Sequence, residues 1–142
     1  LNDRLASRVL EAGTQVVINR EPLASKDQQV DIKIEAPALG GGSVTVVIEL
    51  KWSDNREVST SLIEQLGAEY LVEQNLTHGI YLVGWSVRGS WSNKAPGPKP
   101  PRPYTQAGFL ASLCAQAAEY KNAQPSVEII PKIIDLQWNV RK

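Results

Sequence analysis

The first part of the chain has the apolar pattern of a helix followed by strands. Apolar residues at positions 1, 5 and 9 recur at helical spacing, and Gly13 ends the predicted helix. Residues 14–21 predict a strand that is closed by a proline. Residues 30–36 alternate between apolar and charged side chains, which is typical of a strand with one buried face. A glycine-rich connection then leads to an apolar strand at 44–52.

The rest of the chain alternates helical patterns with apolar strands. Residues 60–75 predict a helix with one apolar stripe, and residues 78–87 predict a continuous apolar strand. A segment rich in proline and glycine separates this strand from a second helical pattern at 108–120. The last predicted strand, 126–138, contains a proline that interrupts it or places it at a sheet edge.

This order of elements, α-β-β-β-α-β-α-β, predicts an α/β fold. A helix between two apolar strands favours a parallel crossover, whereas strands joined by short connections favour an antiparallel meander. We therefore expect one central mixed sheet flanked by helices. A chain of 142 residues with 42% hydrophobic residues is long enough for one core, so residues 1–142 are predicted to form a single domain.

Composition and charge exclude several classes of protein. Fifteen acidic and fifteen basic side chains cancel, so no overall positive field attracts nucleic acid, and any such binding must use a local patch. Cys114 is the only cysteine, which excludes an intrachain disulfide, and its helical context predicts a buried thiol. The sequence shows no signal peptide and no membrane span, so we expect a cytoplasmic protein.

The chemistry suggested by the sequence lies at charged positions on the strands. Glu49 and Lys51 are two residues apart and share one strand face, and Asp31 on the preceding strand can lie beside them. Two close carboxylates repel each other unless a proton or a cation lies between them, and hard oxygen ligands suit Mg²⁺ or Mn²⁺. The alternative interpretation is a solvated surface ion pair with no function.

Three segments in this order resemble the PD-(D/E)XK nuclease superfamily. They are "VDIKIEA", "VVIELKW" and "EQLGAEYLVEQNLTHGIYLVGW", and the resemblance spans residues 14–87. It is strongest to the branch with a glutamine and a tyrosine on the helix after the Glu-x-Lys strand. The resemblance implies a restriction-endonuclease-like αβββαβ core, here followed by a further helix and strand. Val30 stands where the family name places a proline.

The resemblance implies a role for each matching residue of the strands. Asp31 and Glu49 would be metal ligands, and the carbonyl of Leu50 would be a further ligand. Lys51 would be the catalytic lysine. Many members of the superfamily also have a glutamate on the first helix, for which Glu11 is the candidate. Glu21 is the alternative candidate for the role of Glu11, because it lies in a segment like the one that accompanies the second element of the family.

The resemblance also implies roles for two residues of the helix at 60–75. Gln65 would stand near a water held by the ion or near the substrate phosphate, and Tyr70 would stand near the substrate or pack against the helix. Five residues in an α-helix correspond to about 140° of rotation, so this geometry places the two on different faces. Tyr70 then belongs to the apolar stripe. The simplest interpretation of Glu64, Glu69 and Glu73 is a solvated helix face.

These inferences together predict a metal-dependent nuclease. The expected reaction is hydrolysis of phosphodiester bonds in DNA, or alternatively RNA, with Mg²⁺ or Mn²⁺ as cofactor. The chain lacks methionine and begins within a predicted helix, so we expect it to act with other domains of a longer defence or repair protein. Cleavage of two strands would favour a dimer. The principal alternative is an inactive nuclease-like fold that binds nucleic acid or mediates assembly.

Overall fold

The computed structural model describes residues 17–19, 31–85 and 105–136. These residues form five strands and two helices. The strands are β1 (Val17–Asn19), β2 (Ile32–Pro37), β3 (Ser43–Trp52), β4 (His78–Trp85) and β5 (Glu128–Asp135). A π-helix (Leu62–Val72) connects β3 to β4, and α1 (Gln106–Ala123) precedes β5. The predicted helix at the start of the chain and the proline-rich segment before α1 lie outside the described residues.

The strands form one mixed sheet in the order β1-β2-β3-β4-β5. The pairs β1–β2 and β2–β3 are antiparallel, whereas β3–β4 and β4–β5 are parallel. The predicted α/β fold with a mixed sheet is therefore confirmed for this part of the chain. The antiparallel meander and the parallel crossover also lie where the sequence predicts them.

The turn between β2 and β3 fixes the register of the two strands. Gly40, Gly41 and Gly42 all have positive φ angles (99°, 103° and 82°), a conformation that side chains with a Cβ rarely adopt. The Ala38 N–H donates to the Gly42 carbonyl at 3.0 Å and closes the turn. The glycine run therefore permits the tight connection that determines which residues of the two strands face each other.

Both helices pack on one face of the sheet and form the core with it. On β3 and β4 this face carries the odd-numbered residues, whereas the apolar residues Ile32 and Ile34 of β2 lie on the opposite face. The core side chains with no exposed surface are Val47, Leu62, Leu66, Tyr70, Leu71, Tyr81, Val83 and Leu113. The opposite face carries apolar side chains that stay partly exposed, such as Trp52, Ile130 and Ile134.

The helix after β3 is a π-helix rather than the α-helix that the periodicity predicts. A π-helix closes hydrogen bonds between residues five apart, so such residues lie about one turn apart. The same spacing continues past its end, where the Glu73 N–H donates to the Ala68 carbonyl at 3.2 Å and the Leu76 N–H to the Leu71 carbonyl at 2.7 Å. The wider turn changes which side chains share a face.

Helix α1 corrects the prediction for the single cysteine. Phe109, Leu113 and Ala117 are buried at a spacing of four residues and form the stripe that faces the sheet. Cys114 follows Leu113 and is exposed, because one residue corresponds to about 100° of rotation in an α-helix. The expectation of a buried thiol was therefore wrong.

The last strand lies where the sequence predicts it. Strand β5 lies at the edge of the sheet, and Pro131, which pairs with Tyr81, is accommodated there as expected. Neither described helix is long and apolar enough to cross a lipid bilayer.

Candidate active site

The strand register brings Asp31 next to Glu49. Ile32 pairs with Ile48, so the next position outward sets Asp31 opposite Glu49 on the same face of the sheet. The Leu50 N–H donates to Asp31 Oδ2 at 2.7 Å. The carboxylate of Asp31 therefore accepts a hydrogen bond from β3 just before β2 begins. This bond fixes the position of the carboxylate at the end of the sheet where β2 starts and β3 ends.

The carbonyl oxygen of Leu50 points to the same side of β3 as the carboxylate of Asp31. In an extended strand the N–H and C=O of one residue point toward the same neighbouring strand. The Leu50 N–H points toward Asp31, so its carbonyl also points to the β2 side of β3. The paired part of β2 begins at Ile32, one residue after Asp31. The three oxygen donors implied by the resemblance therefore lie at the same corner of the sheet.

Glu49 is a buried carboxylate that is only half satisfied. Glu49 is 2% exposed, and its Oε1 accepts a hydrogen bond from the ammonium of Lys51 at 2.9 Å. Oε2 is buried and has no hydrogen-bond partner among the described residues. Burial raises the pKa of Glu49 to about 7, and the charges of Asp31 and Glu69 add to this effect while Lys51 opposes it.

The burial of this pair excludes the surface interpretation of Glu49 and Lys51. The side chains are 2% and 13% exposed, so neither group has the hydration that a solvated pair retains. A buried carboxylate oxygen without a partner carries a free-energy cost that a purely structural pair would avoid by forming a second hydrogen bond. A ligand or cation that contacts Oε2 would remove that cost.

The donor set fits a hard divalent cation. Two carboxylates and a backbone carbonyl match the few protein ligands that Mg²⁺ takes when water and substrate phosphate complete its octahedron. The described residues contain no group of three or more His, Cys, Asp or Glu side chains that could hold a metal ion. The oxygens of Asp31, Glu49 and Leu50 suit Mg²⁺ or Mn²⁺, which prefer oxygen ligands and keep water or phosphate in the remaining positions.

The π-helix places Gln65 and Tyr70 on one face. Gln65 Nε2 donates to the hydroxyl of Tyr70 at 2.8 Å. The prediction that these residues lie on different faces was wrong, because it assumed an α-helix, whereas residues five apart in a π-helix are about one turn apart. The prediction that Tyr70 packs within the core is correct, since Tyr70 has no exposed surface.

The hydroxyl of Tyr70 lies within the electrostatic field of the site. Burial raises the pKa of Tyr70 to about 12, an effect that the hydrogen bond from Gln65 opposes. The carboxylates of Glu49, Glu69 and Asp31 raise it further. Tyr70 is therefore a neutral phenol at physiological pH, able to donate and accept hydrogen bonds but not to act as a base. The Gln65–Tyr70 pair and the strand carboxylates belong to one site.

Glu69 contributes to the electrostatics of the site, a contribution that the sequence pattern did not predict. Glu69 is half-buried, and its charge raises the pKa values of Glu49 and Tyr70. Its assignment to a solvated face was therefore wrong, although Glu64 and Glu73 are exposed as predicted. The available signal was its position four residues after Gln65, which shares the face of Gln65 in either type of helix.

Tyr81 forms the buried floor of the site and was also missed. It pairs with Glu49 in the register of β3 and β4, and it has no exposed surface. Its hydroxyl donates to the Val58 carbonyl at 2.8 Å. Burial, followed by the charge of Glu49, raises the pKa of Tyr81, which is therefore neutral. The alternation of β4, which places Tyr81 and Val83 on one face, was the signal that could have found it.

The remaining two candidates lie outside the described residues. Glu11 and Glu21 both precede β2 in the chain, and each stays a prediction from the resemblance. Comparison with protein-family models, with curated proteins and with solved structures finds no match to the chain. A functional proposal for this chain therefore combines the family resemblance of its sequence with the geometry of the described residues.

Proposed function

We propose that this chain is a metal-dependent nuclease domain of the PD-(D/E)XK type, which hydrolyses phosphodiester bonds in DNA. One observation carries the proposal. Glu49 is buried between Asp31 and Lys51, with one carboxylate oxygen bound to the lysine and the other without a partner in the described part of the chain. A structural ion pair does not require this arrangement, whereas a site that binds a cation beside an amine does.

Asp31, Glu49 and the Leu50 carbonyl would hold Mg²⁺ or Mn²⁺. When bound, such an ion lowers the pKa of water and stabilises negative charge on a phosphate. The bond from the Leu50 N–H leaves Asp31 Oδ1 as a second acceptor on the same carboxylate. Glu49 would contribute Oε2, the oxygen that the ion pair with Lys51 leaves without a hydrogen bond to the described residues.

Lys51 supplies the positive charge that the reaction needs next to the carboxylates. Its ammonium is held 2.9 Å from Glu49 Oε1, which fixes its position at the end of β3. From there it orients the attacking water or neutralises the charge that develops on the phosphate during hydrolysis. Loss of this amine removes an interaction that grows in the transition state, so it lowers kcat more than it weakens substrate binding.

Gln65 positions the water or the substrate phosphate, and Tyr70 positions Gln65. The hydrogen bond from Gln65 Nε2 to the Tyr70 hydroxyl fixes the orientation of the amide, and its Oε1 remains an acceptor for a water proton. Tyr70 is fully buried, and its hydroxyl is held beside Gln65 by this hydrogen bond. This assigns Tyr70 a positioning role and not proton transfer.

The preference for DNA, the context in a defence or repair protein and a dimeric state are parts of the proposal that depend on the family resemblance. The net charge of zero agrees with a domain whose binding partner is engaged partly by other domains of the same polypeptide. Two-strand cleavage would use paired subunits, each with one site.

The test is a cleavage assay on the full polypeptide that carries these residues. Linear, circular and single-stranded DNA are incubated with and without Mn²⁺, beside the Lys51→Ala protein. We expect cleavage that requires the ion and falls at least about a hundredfold in the variant. Cleavage that persists in EDTA, or a folded Lys51→Ala protein with full activity, would contradict the proposal. Binding of Mn²⁺ and DNA without cleavage would favour the inactive module.

A further inference from the structure

The described part of the chain contains few cations, and most of them are already paired. It has five lysines and arginines: Lys33, Lys51, Arg56, Lys121 and Lys132. In three of the lysines the ammonium forms an ion pair with a carboxylate, at 2.9, 3.0 and 3.4 Å. The side chains of Arg56 and Lys132 form no ion pair or hydrogen bond with the other residues that the structure describes. These two cations are therefore candidates for contact with an anionic partner.

The two cations lie at different places relative to the candidate site. Pro131 pairs with Tyr81, which shares the face of Glu49, so the next residue, Lys132, belongs to the opposite face of β5. Arg56 lies in the segment 53–61, directly after the end of β3. That end of β3 carries Glu49 and Lys51. Of these two cations, Arg56 is therefore the one that follows the end of β3 where the candidate site lies.

The segment around Arg56 is held by hydrogen bonds on both sides. Before it, the Ser53 N–H donates to the Gly84 carbonyl and the Asn55 N–H to the Trp52 carbonyl, both at 2.9 Å. After it, the Glu57 N–H donates to Asn55 Oδ1 at 2.8 Å. The backbone at Arg56 is therefore fixed relative to β3, while its side chain is exposed.

Tyr81 connects this segment to the floor of the site. Its buried hydroxyl donates to the Val58 carbonyl two residues after Arg56, and Tyr81 is the register partner of Glu49. Val58 itself is 6% exposed. The backbone two residues after Arg56 is therefore hydrogen-bonded to the strand neighbour of Glu49.

The charge balance of the site explains what an arginine would do there. Asp31, Glu49 and Glu69 are acidic, and the charge of Lys51 is already compensated by Glu49. A cation bound at the carboxylates would engage the phosphate that reacts, but the neighbouring phosphates of a nucleic acid would still face an acidic surface. A guanidinium stays charged at all relevant pH values and binds phosphate oxygens in pairs.

We propose that Arg56 binds a backbone phosphate next to the one that is cleaved, and so determines the affinity of the domain for its substrate. The inference rests on the proposed nuclease function. It adds a substrate-binding residue outside the set that the resemblance implies. Because the contact is to the backbone, we expect it to be independent of base sequence.

The experiment compares matched losses of one positive charge. Binding of a fluorescent DNA duplex to the full polypeptide is measured by anisotropy in EDTA, at several salt concentrations, for unmodified, Arg56→Ala, Arg56→Lys and Lys132→Ala proteins. Arg56→Ala should raise the Kd about tenfold at low salt and reduce the slope of log Kd against log salt by about 0.9. Arg56→Lys should recover part of the loss, and Lys132→Ala should change neither quantity.

Two results would overturn the inference. If Arg56→Ala and Lys132→Ala have the same Kd and the same salt slope as the unmodified protein, Arg56 contacts no phosphate, although metal-dependent cleavage could still hold. If the unmodified protein neither binds nor cleaves nucleic acid, the inference and the proposed function both fail. Thermal unfolding of Arg56→Ala should match that of the unmodified protein, since the side chain is exposed.

Discussion

At the scale of single residues, Glu49 unites the structural and functional observations. It is the buried carboxylate of the described sheet, it pairs through one oxygen with Lys51, and its other oxygen has no partner among the described residues. Its raised pKa of about 7 means that folding without a bound cation favours a proton on this group. The charged form of Glu49 therefore destabilises the folded protein when no cation is bound. The same charge can bind a cation when one is present.

The first prediction concerns the pH dependence of stability without divalent ions. The pKa of Glu49 is about 7 in the folded protein and 4.5 ordinarily, so the folded state binds more protons between these values. The contribution of Glu49 to stability is then highest below pH 4.5 and falls as the pH rises through 7. Relative to Glu49→Gln, the unmodified protein should lose on the order of 3 kcal/mol between pH 4 and pH 8.

Urea unfolding of both proteins in EDTA measures this difference. Other carboxylates titrate in both proteins, so the comparison isolates Glu49. A difference in unfolding free energy that does not change with pH would show that Glu49 titrates normally, and the buried, half-satisfied state described above would be wrong.

The second prediction concerns the ion pair. Lys51→Ala leaves the carboxylate of Glu49 buried without a counter-charge, which should cost about 3 kcal/mol at pH 8 in EDTA. The cost should be smaller at pH 5, where Glu49 is protonated in both proteins. Mn²⁺ should recover part of the loss at pH 8, because the ion compensates the same charge. Urea unfolding at both pH values measures the effect, and an equal cost at pH 5 and pH 8 would contradict it.

At the scale of secondary-structure elements, the strands were predictable and the π-helix was not. Alternation along β2 and β3 sets the shared face of Asp31, Glu49 and Lys51, because a strand has a fixed period of two residues. The period of a helix depends on its hydrogen bonding, and the sequence 60–75 has the apolar pattern of an α-helix. The apolar pattern of this segment does not distinguish the two helix types.

The third prediction tests the geometry of the π-helix. Tyr70→Phe removes the hydroxyl that accepts from Gln65 and should cost about 1 kcal/mol of unfolding free energy. Because the two side chains contact each other, the effects of Tyr70→Phe and Gln65→Ala should not add, with a coupling energy of at least about 0.5 kcal/mol. A double-mutant cycle by urea unfolding measures the coupling. Additive effects would indicate that the residues lie on separate faces, as an α-helix would place them.

At the scale of the whole molecule, the topology assembles the site. Because β2 runs antiparallel to β3, and β3 and β4 are parallel, the start of β2 and the ends of β3 and β4 lie at the same end of the sheet. The segment 53–61, anchored by Tyr81, lies at this edge and carries Arg56. The sequence could predict the order of elements and the faces of Tyr81 and Glu69, but not which parts of the molecule those faces contact. Their roles arise from contacts between elements that are distant in the chain.

The most direct test of the whole account is binding of Mn²⁺ to the folded polypeptide, measured by electron paramagnetic resonance of the free ion. We expect one ion per chain at pH 8, and we expect this site to be lost in Glu49→Gln. Asp31→Asn keeps the acceptor for the Leu50 N–H but removes the charge, and it should weaken binding at least about tenfold. Equal binding by the unmodified protein and both variants would show that these carboxylates hold no ion, and the account would be contradicted.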